Sequence, residues 1–298
     1  MDQICRFSFV EAPIRGQWVR LTSVLAELDV RRSYPGRIRN LLGEMLAAVT
    51  LVADNVKFPG AVALQSRGTG PLTTLLAECR ERHLLRGLAS WPEHTEIPDT
   101  DSLRLLIGDG QLALNLIPEP GDEGRDVQAY QGLVALSEDR LAGNLESYFA
   151  VSEQLPTRLY FAGTASSVTG LLLQRLPDRD NASEVELDHQ QALWEEVQML
   201  AATLREEELS SLDCETLVSR LFGASTVRLH PPRELKFRCT CNRDKTGSTL
   251  RALGRDDLLA LLEERGSIEV TCEICGACYA YDAVDVHLLL SPDAPAIH

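Results

Sequence analysis

Cys239-Thr240-Cys241 and Cys272-Glu273-Ile274-Cys275 are two closely spaced thiol pairs with thirty residues between them. Four thiolates carried on two tight knuckles can surround one zinc ion tetrahedrally, the intervening chain closing the loop. C-x-C is a less usual half-site than C-x-x-C, and Cys275-Gly276-Ala277-Cys278 makes a second C-x-x-C in overlapping register, which leaves Cys278 open as a substitute ligand or disulfide partner. A disulfide sulfur is no longer a thiolate ligand, and a ring closed by Cys239 and Cys241 is small and strained, hence readily reduced again. The cluster therefore reads either as a permanently closed structural knob or as a reversible redox switch. Arg228, Arg233, Lys236, Arg238, Arg243 and Lys245 flank the first pair. Such charge favours thiolate and reactivity, and it reads equally as a solvated face or a weak nucleic-acid patch. Cys5, Cys79 and Cys214 are isolated in sequence and read as small buried hydrophobes without a chemical role.

The elements that must position the cysteines are legible. Residues 256–265 read as a helix ended by Gly266, 267–271 as a strand delivering Cys272, and Tyr279-Ala280-Tyr281 as a returning strand. Large apolar residues are few in this stretch, so its fold is expected to depend on the metal, because the binding free energy of structural zinc is folding free energy.

Upstream, twelve acidic residues between 177 and 215 face only Arg179 and Arg205. Leu193, Val197, Leu200, Ala201 and Leu204 recur there at helical spacing, so residues 186–209 are expected to form one amphipathic helix with a like-charged outer face. Like charges one turn apart oppose such a helix, and most of its stability must come from packing. It is either a solvated linker or a conditional helix that melts when its docking surface lets go; a redox-sensitive cluster beside it favours the second.

Residues 1–177 mix helical and strand patterns and read as one α/β (α+β) domain. Leu42, Met45, Leu46, Val49 and Val52 mark a helical stripe, and 61–64, 104–107 and 112–117 read as strands. Turns are expected at Tyr34-Pro35-Gly36, Phe58-Pro59-Gly60, Gly68-Thr69-Gly70-Pro71 and Pro118-Glu119-Pro120-Gly121. The organisation is thus an N-terminal domain over 1–177, a helical redox-sensitive linker over 178–232 and a small four-cysteine zinc domain over 233–298.

A chain of 298 residues, 44% of them hydrophobic, accommodates about two domains with a real core. Its net charge of −15 disfavours a protein that lives on phosphate backbones. The first residues lack the charged, apolar and small-residue regions of a secretory signal. The apolar stretch 41–53 is interrupted by Glu44 and is too short to span a bilayer. Clustered thiols without an export signal fit a reducing cytoplasm. There is no G-x-x-x-x-G-K-[ST] and no G-x-G-x-x-G, and the six histidines stand in no recognisable catalytic frame, so no enzyme is expected.

Several further motifs in order, Gly68-Thr69-Gly70-Pro71-Leu72, Tyr130-Gln131-Gly132-Leu133-Val134, Ser152-Glu153-Gln154-Leu155-Pro156-Thr157, Gly170-Leu171-Leu172-Leu173-Gln174-Arg175-Leu176-Pro177, Phe237-Arg238-Cys239-Thr240-Cys241 and Ile268-Glu269-Val270-Thr271-Cys272-Glu273-Ile274-Cys275, cover nearly the whole chain. It resembles the 33-kDa chaperonin family of redox-regulated heat-shock chaperones. The resemblance implies an ATP-independent holdase of the stress response, inactive while Cys239, Cys241, Cys272 and Cys275 hold one Zn2+ per chain. Oxidation is implied to form Cys239–Cys241 and Cys272–Cys275 disulfides, expel zinc and unfold the linker. It further implies unfolded client proteins, a homodimer when oxidised and hand-over to foldase chaperones. Asn242-Arg243-Asp244-Lys245 departs from the family's usual continuation but leaves the ligands intact, and Tyr279, four residues beyond Cys275, favours Cys272 with Cys275 over a pair using Cys278.

Two other classes fit less well. A thiol oxidoreductase would place its C-x-x-C in a thioredoxin-like βαβ context, which the region around Cys272 lacks. A zinc-dependent nucleic-acid module would use the basic residues 228–245, but from 233 to the end eight basic residues face eleven acidic ones.

Overall fold

A strand apolar on both faces needs cover on both, and residues 168–175, Val-Thr-Gly-Leu-Leu-Leu-Gln-Arg, make such a strand. The computed structural model describes residues 1–56, 60–118, 129–178 and 183–291, and the chain divides into two compact units, Met1–Phe237 and Arg238–His298. The turn residues Phe58 and Pro59, the Glu119-Pro120-Gly121 turn, and Arg179, Asp180 and His298 lie outside the described residues.

The first unit begins with β1 (Gln3–Phe9), β2 (Ile14–Leu21), α1 (Ser23–Arg31) and α2 (Gly36–Asn55). It continues through β3 (Gly60–Arg67), β4 (Thr74–Arg80), β5 (Leu84–Ser90), α3 (Leu103–Ile107), β6 (Gln111–Pro118) and β7 (Tyr130–Val134). Next come α4 (Leu141–Ser152), β8 (Thr157–Gly163), β9 (Val168–Arg175), α5 (Glu184–Ala201), α6 (Glu206–Ser211) and α7 (Cys214–Phe222). Three short strands, β10 (Val227–Leu229), β11 (Arg233–Glu234) and β12 (Lys236–Phe237), complete it. One sheet has the order β10-β1-β2-β9-β8 with β11 also on β1; the other has the order β12-β5-β4-β3-β6-β7.

Helix α2 packs against strands of both sheets. Fourteen of its twenty residues are buried, including every residue from Met45 to Asp54. A helix apolar on all sides belongs inside a core, so the stripe read at Leu42, Met45 and Leu46 is one side of a helix enclosed between two sheets. The buried Thr50 hydroxyl is satisfied by donating to the Leu46 carbonyl at 2.6 Å.

The period-2 alternation of the first sheet divides its side chains between two cores. Ile4, Val19, Leu21, Val168 and Leu172 face the α2 core, whereas Cys5, Phe7, Phe9, Trp18, Leu171 and Leu173 face a second one. Leu193, Trp194, Val197 and Ala201 of α5, Leu209 of α6, and Leu217, Val218 and Phe222 of α7 cover that second face. The acidic segment is therefore docked within the first unit, its apolar stripe against the sheet. Gly16 lies opposite Phe7 in the β1–β2 register. A Cβ at Gly16 would strike the Phe7 ring, so glycine leaves the aromatic its place in the second core.

Two sequence readings are corrected. Residues 104–107 belong to helix α3: the Ser102 side chain accepts from the Leu105 N–H, and Gly108 at φ 70° ends the turn. The single helix over 186–209 is two helices, α5 and α6. Glu206, Glu207 and Glu208 fill the first turn of α6, where the helix dipole favours them, and the Arg205 N–H donates to the Glu208 carboxylate. The strands at 61–64 and 112–117 are present as parts of β3 and β6. At the Gly68-Thr69-Gly70-Pro71 turn the Gly70 N–H donates to the Ile107 carbonyl at 2.8 Å, and a Cβ at Gly70 would collide with that backbone. These glycines serve a close backbone approach.

The second unit contains α8 (Arg243–Leu253), α9 (Arg255–Arg265), β13 (Ile268–Thr271), β14 (Cys278–Tyr281) and α10 (Ala283–Leu289). Gly266 closes α9 in the left-handed conformation, φ 73°, as the sequence requires. Its core is small: Leu250, Leu258, Ile268, Tyr281 and Val286. Among the described residues no helix is long and apolar enough to cross a membrane.

Candidate metal centre

The two halves of the cysteine site arise from different local structures. Cys239 and Cys241 lie in irregular chain just before α8, which Asn242 caps by accepting from the Lys245 N–H at 2.8 Å. The Lys245 ammonium donates back to the Thr240 carbonyl between the two cysteines at 3.0 Å, fixing the loop. Cys272 and Cys275 occupy the turn joining β13 to β14. The Gly276 N–H donates to the Cys272 carbonyl at 2.7 Å, and the Cys272 N–H donates to the Ala277 carbonyl at 2.9 Å. Gly276 sits at φ 68°, a conformation glycine adopts without a Cβ penalty. Tyr281 ties the halves together: its hydroxyl donates to the Arg243 carbonyl at 2.6 Å and pairs with the Thr246 hydroxyl at 2.5 Å, beneath the Arg243 guanidinium.

The sulfur atoms of Cys239, Cys241, Cys272 and Cys275 all lie within 4.8 Å of one another. Sγ of Cys239 is 3.7 Å from Sγ of Cys272, and Sγ of Cys241 is 3.2 Å from Sγ of Cys275. A tetrahedral zinc site with Zn–S bonds of about 2.3 Å has S···S edges of about 3.8 Å, so the four ligand atoms fit one metal ion of that size. Cys278 is exposed at the start of β14, paired with Thr271 across the hairpin, and is outside this group.

The site distributes its protons unevenly. Burial, joined by neighbouring thiols, pushes Cys275 up to about 12, and burial also raises Cys239. Burial opposes ionisation at Cys241 too, but hydrogen bonds from the Tyr279 hydroxyl, 3.2 Å away, and from the other thiols outweigh it and bring it down to about 7. Tyr279 is thus a neighbour of the site that residue chemistry alone does not reveal; its signal is the family resemblance, which implies an aromatic four residues beyond Cys275.

The basic residues around the first pair are largely committed. Arg233 binds the Asp54 carboxylate, Lys236 pairs with Glu234 at 3.0 Å, and Arg243 pairs with Asp285 at 2.6 Å. Cys5, Cys79 and Cys214 are buried free thiols, with Cys5 and Cys214 hydrogen-bonded to each other in the second core.

A family model described as Hsp33 protein matches residues 2–282. The 33 kDa chaperonin of Pseudomonas aeruginosa is 40% identical over 97% of this chain and 95% of its own length. That of Ectopseudomonas mendocina is 39% identical over 96% and 94%. The crystal structure of the 33 kDa chaperonin, a heat shock protein 33 homologue, from Thermotoga maritima superposes with a TM-score of 0.79 at 23% identity, covering 97% of both chains.

Proposed function

The chain belongs to the Hsp33 protein family, and from that premise we propose that it is a redox-regulated, ATP-independent holdase of the reducing cytoplasm, a chaperone that binds unfolding proteins and prevents their aggregation. The observation that carries the reading is the convergence of four sulfurs from two separate loops on a volume that fits one metal ion.

Cys239, Cys241, Cys272 and Cys275 are the ligands in the reduced state. Zinc, when bound, supplies positive charge that holds four thiolates together and adds its binding free energy to folding of the module. The Tyr279 hydroxyl donates to the Cys241 sulfur and favours its thiolate. Peroxide oxidises each close pair: two thiolates become one disulfide, and their two electrons, with two protons from solvent, reduce one H2O2 to two water molecules. With Cys239 joined to Cys241 and Cys272 to Cys275, the four sulfurs cease to be anionic ligands, and a unit with a five-residue buried apolar core lacks the burial to stay folded. The helical segment within 178–232 then undocks, presenting the apolar face it shares with the first sheet to clients. The oxidised protein is a homodimer that passes clients to foldase chaperones.

The test is suppression of thermal aggregation of a client protein by reduced, zinc-loaded chain and by peroxide-treated chain, with zinc release followed in parallel and disulfides mapped by mass spectrometry. Protection by the oxidised form alone, with about one zinc released per chain, is expected. Retention of zinc with no protection by either form makes the site purely structural and overturns the reading. The map also decides the pairing, because sulfur contacts of 3.2 Å from Cys241 to Cys275 and 3.7 Å from Cys239 to Cys272 run between the two close pairs.

A further inference from the structure

A cavity of about 440 Å³ opens in the first unit where the ends of β1 and β2, the C-terminus of α2 and the 230–233 segment meet. Arg6, Arg15, Arg82 and Arg233 line it, with Asp54 as the acidic member of the lining. The Asp54 side chain is fully buried and already used: Arg6, Arg233 and Gln17 all donate to it. Arg15 donates to the neutral Gln174 amide oxygen. The cavity therefore holds an excess of about three positive charges in a chain whose net charge is −15.

One buried donor on its wall, Nε of Arg233, lacks a partner among the described residues. Buried donors are ordinarily satisfied, and an acceptor oxygen held in the cavity would satisfy this one. Burial, followed by the charge of Arg6, makes the Arg15 guanidinium easier to discharge than usual.

We propose that this cavity is a binding site for a diphosphate group, free or carried by a nucleoside. Guanidinium groups grip phosphate oxygens through forked, charge-assisted hydrogen bonds. Diphosphate carries a charge of about −3 near neutrality, which matches the excess, and the volume exceeds what a single phosphate fills. Arg15 and Arg82 are the two lining cations not held on Asp54, as Arg6 and Arg233 are. The proposal is independent of the thiol chemistry.

The experiment is calorimetric titration of the reduced, zinc-loaded chain with inorganic pyrophosphate, with ADP and with citrate in magnesium-free buffer. One-to-one binding of pyrophosphate or ADP, weakening with salt, is expected, and the tighter of the two identifies the source. In the Arg15→Gln/Arg82→Gln variant affinity falls by roughly a hundredfold or more, while melting temperature without ligand and zinc content stay unchanged. Should that pair impair folding, Arg82→Gln alone is measured for the same loss, since Arg82 lines the cavity and its backbone carbonyl accepts from Arg233 at 3.1 Å, a contact the substitution leaves in place. Citrate binding as tightly as pyrophosphate, undiminished binding by the variants, or no binding at millimolar pyrophosphate overturns the assignment.

Discussion

Replacing Phe222 with alanine should release the acidic helices without touching the cysteines. Phe222 is 1% exposed, and its ring centroid lies 5.2 Å from that of Phe9, edge to face, and 6.1 Å from that of Phe7. Truncation of a buried phenylalanine costs about 3–5 kcal/mol, the lost aromatic pairing included. That loss falls on the docking of α7, which retains Leu217 and Val218 as its buried anchors. Local opening of the segment should then be populated roughly a hundred to several thousand times more often. The assay is native-state hydrogen exchange on reduced, zinc-loaded protein, read separately for 184–222 and for β3 and β4, beside client-aggregation suppression by the same sample. Expected are faster exchange confined to 184–222, an unchanged zinc content and partial client protection without oxidant. Unchanged exchange in 184–222 would show that this packing does not hold the helices. Exchange rising equally in β3 and β4 would show that they do not open as a separate unit, and fast local exchange without client protection would separate undocking from activation.

Cys272→Ser should abolish stoichiometric zinc binding and remove the cooperative unfolding of the second unit, checked by metal analysis and by exchange over 243–289, while β3 and β4 keep their protection. Glu44 is half-buried on α2, and burial raises its pKa to about 7. The folded state therefore holds this proton more tightly than the unfolded one, and stability is lost as pH rises from about 4 towards 7. Glu44→Gln should accordingly raise the melting temperature at pH 8 while changing it little at pH 4, and an equal effect at both would refute the assignment. In the reduced zinc-loaded protein, iodoacetamide should modify the exposed Cys278 first and leave Cys5, Cys79 and Cys214 unmodified until denaturation. Burial, which pushes Cys79 up to about 12, adds to its protection, and mass mapping reads the order.

The cluster of four cysteines is legible because its close spacings are carried locally by the chain, and because Gly266 and the β13 pattern flank it in sequence. Cys278 could not be set aside by spacing, since two C-x-x-C registers overlap; its place on the exposed start of β14 decides the geometry. The N-terminal architecture was only partly readable. A stripe at Leu42, Met45 and Leu46 specifies helix, but enclosure by two sheets depends on partners far along the chain. The alternation in β9 carried that information: Leu172 and Leu173 point into different cores, a pattern that reads from sequence simply as an apolar run. Arg104-Leu105-Leu106-Ile107 reads as a strand because three consecutive apolar residues are too few to separate a short strand from a single helical turn; the cap supplied by Ser102 makes it helix. The Arg6–Asp54–Arg233 cluster left no trace in the sequence, because its members are 48 and 179 residues apart.

The placement of β9 and β10 in the same sheet has a consequence for recovery after stress. Residues 176–226, about fifty of them, leave from one strand and return to another, so the helices that they contain are an excursion with both ends fixed. Such a loop cannot drift away when it undocks. The entropy of closing it is already met by the sheet and grows only slowly with its length, and the face that it left stays at the high local concentration of a tethered site. Return to the sheet is a one-molecule event whose rate is indifferent to protein concentration, so that on the proposed mechanism a client on that face competes against the chain's own helices, and its release is a matter of which of the two holds the surface longer.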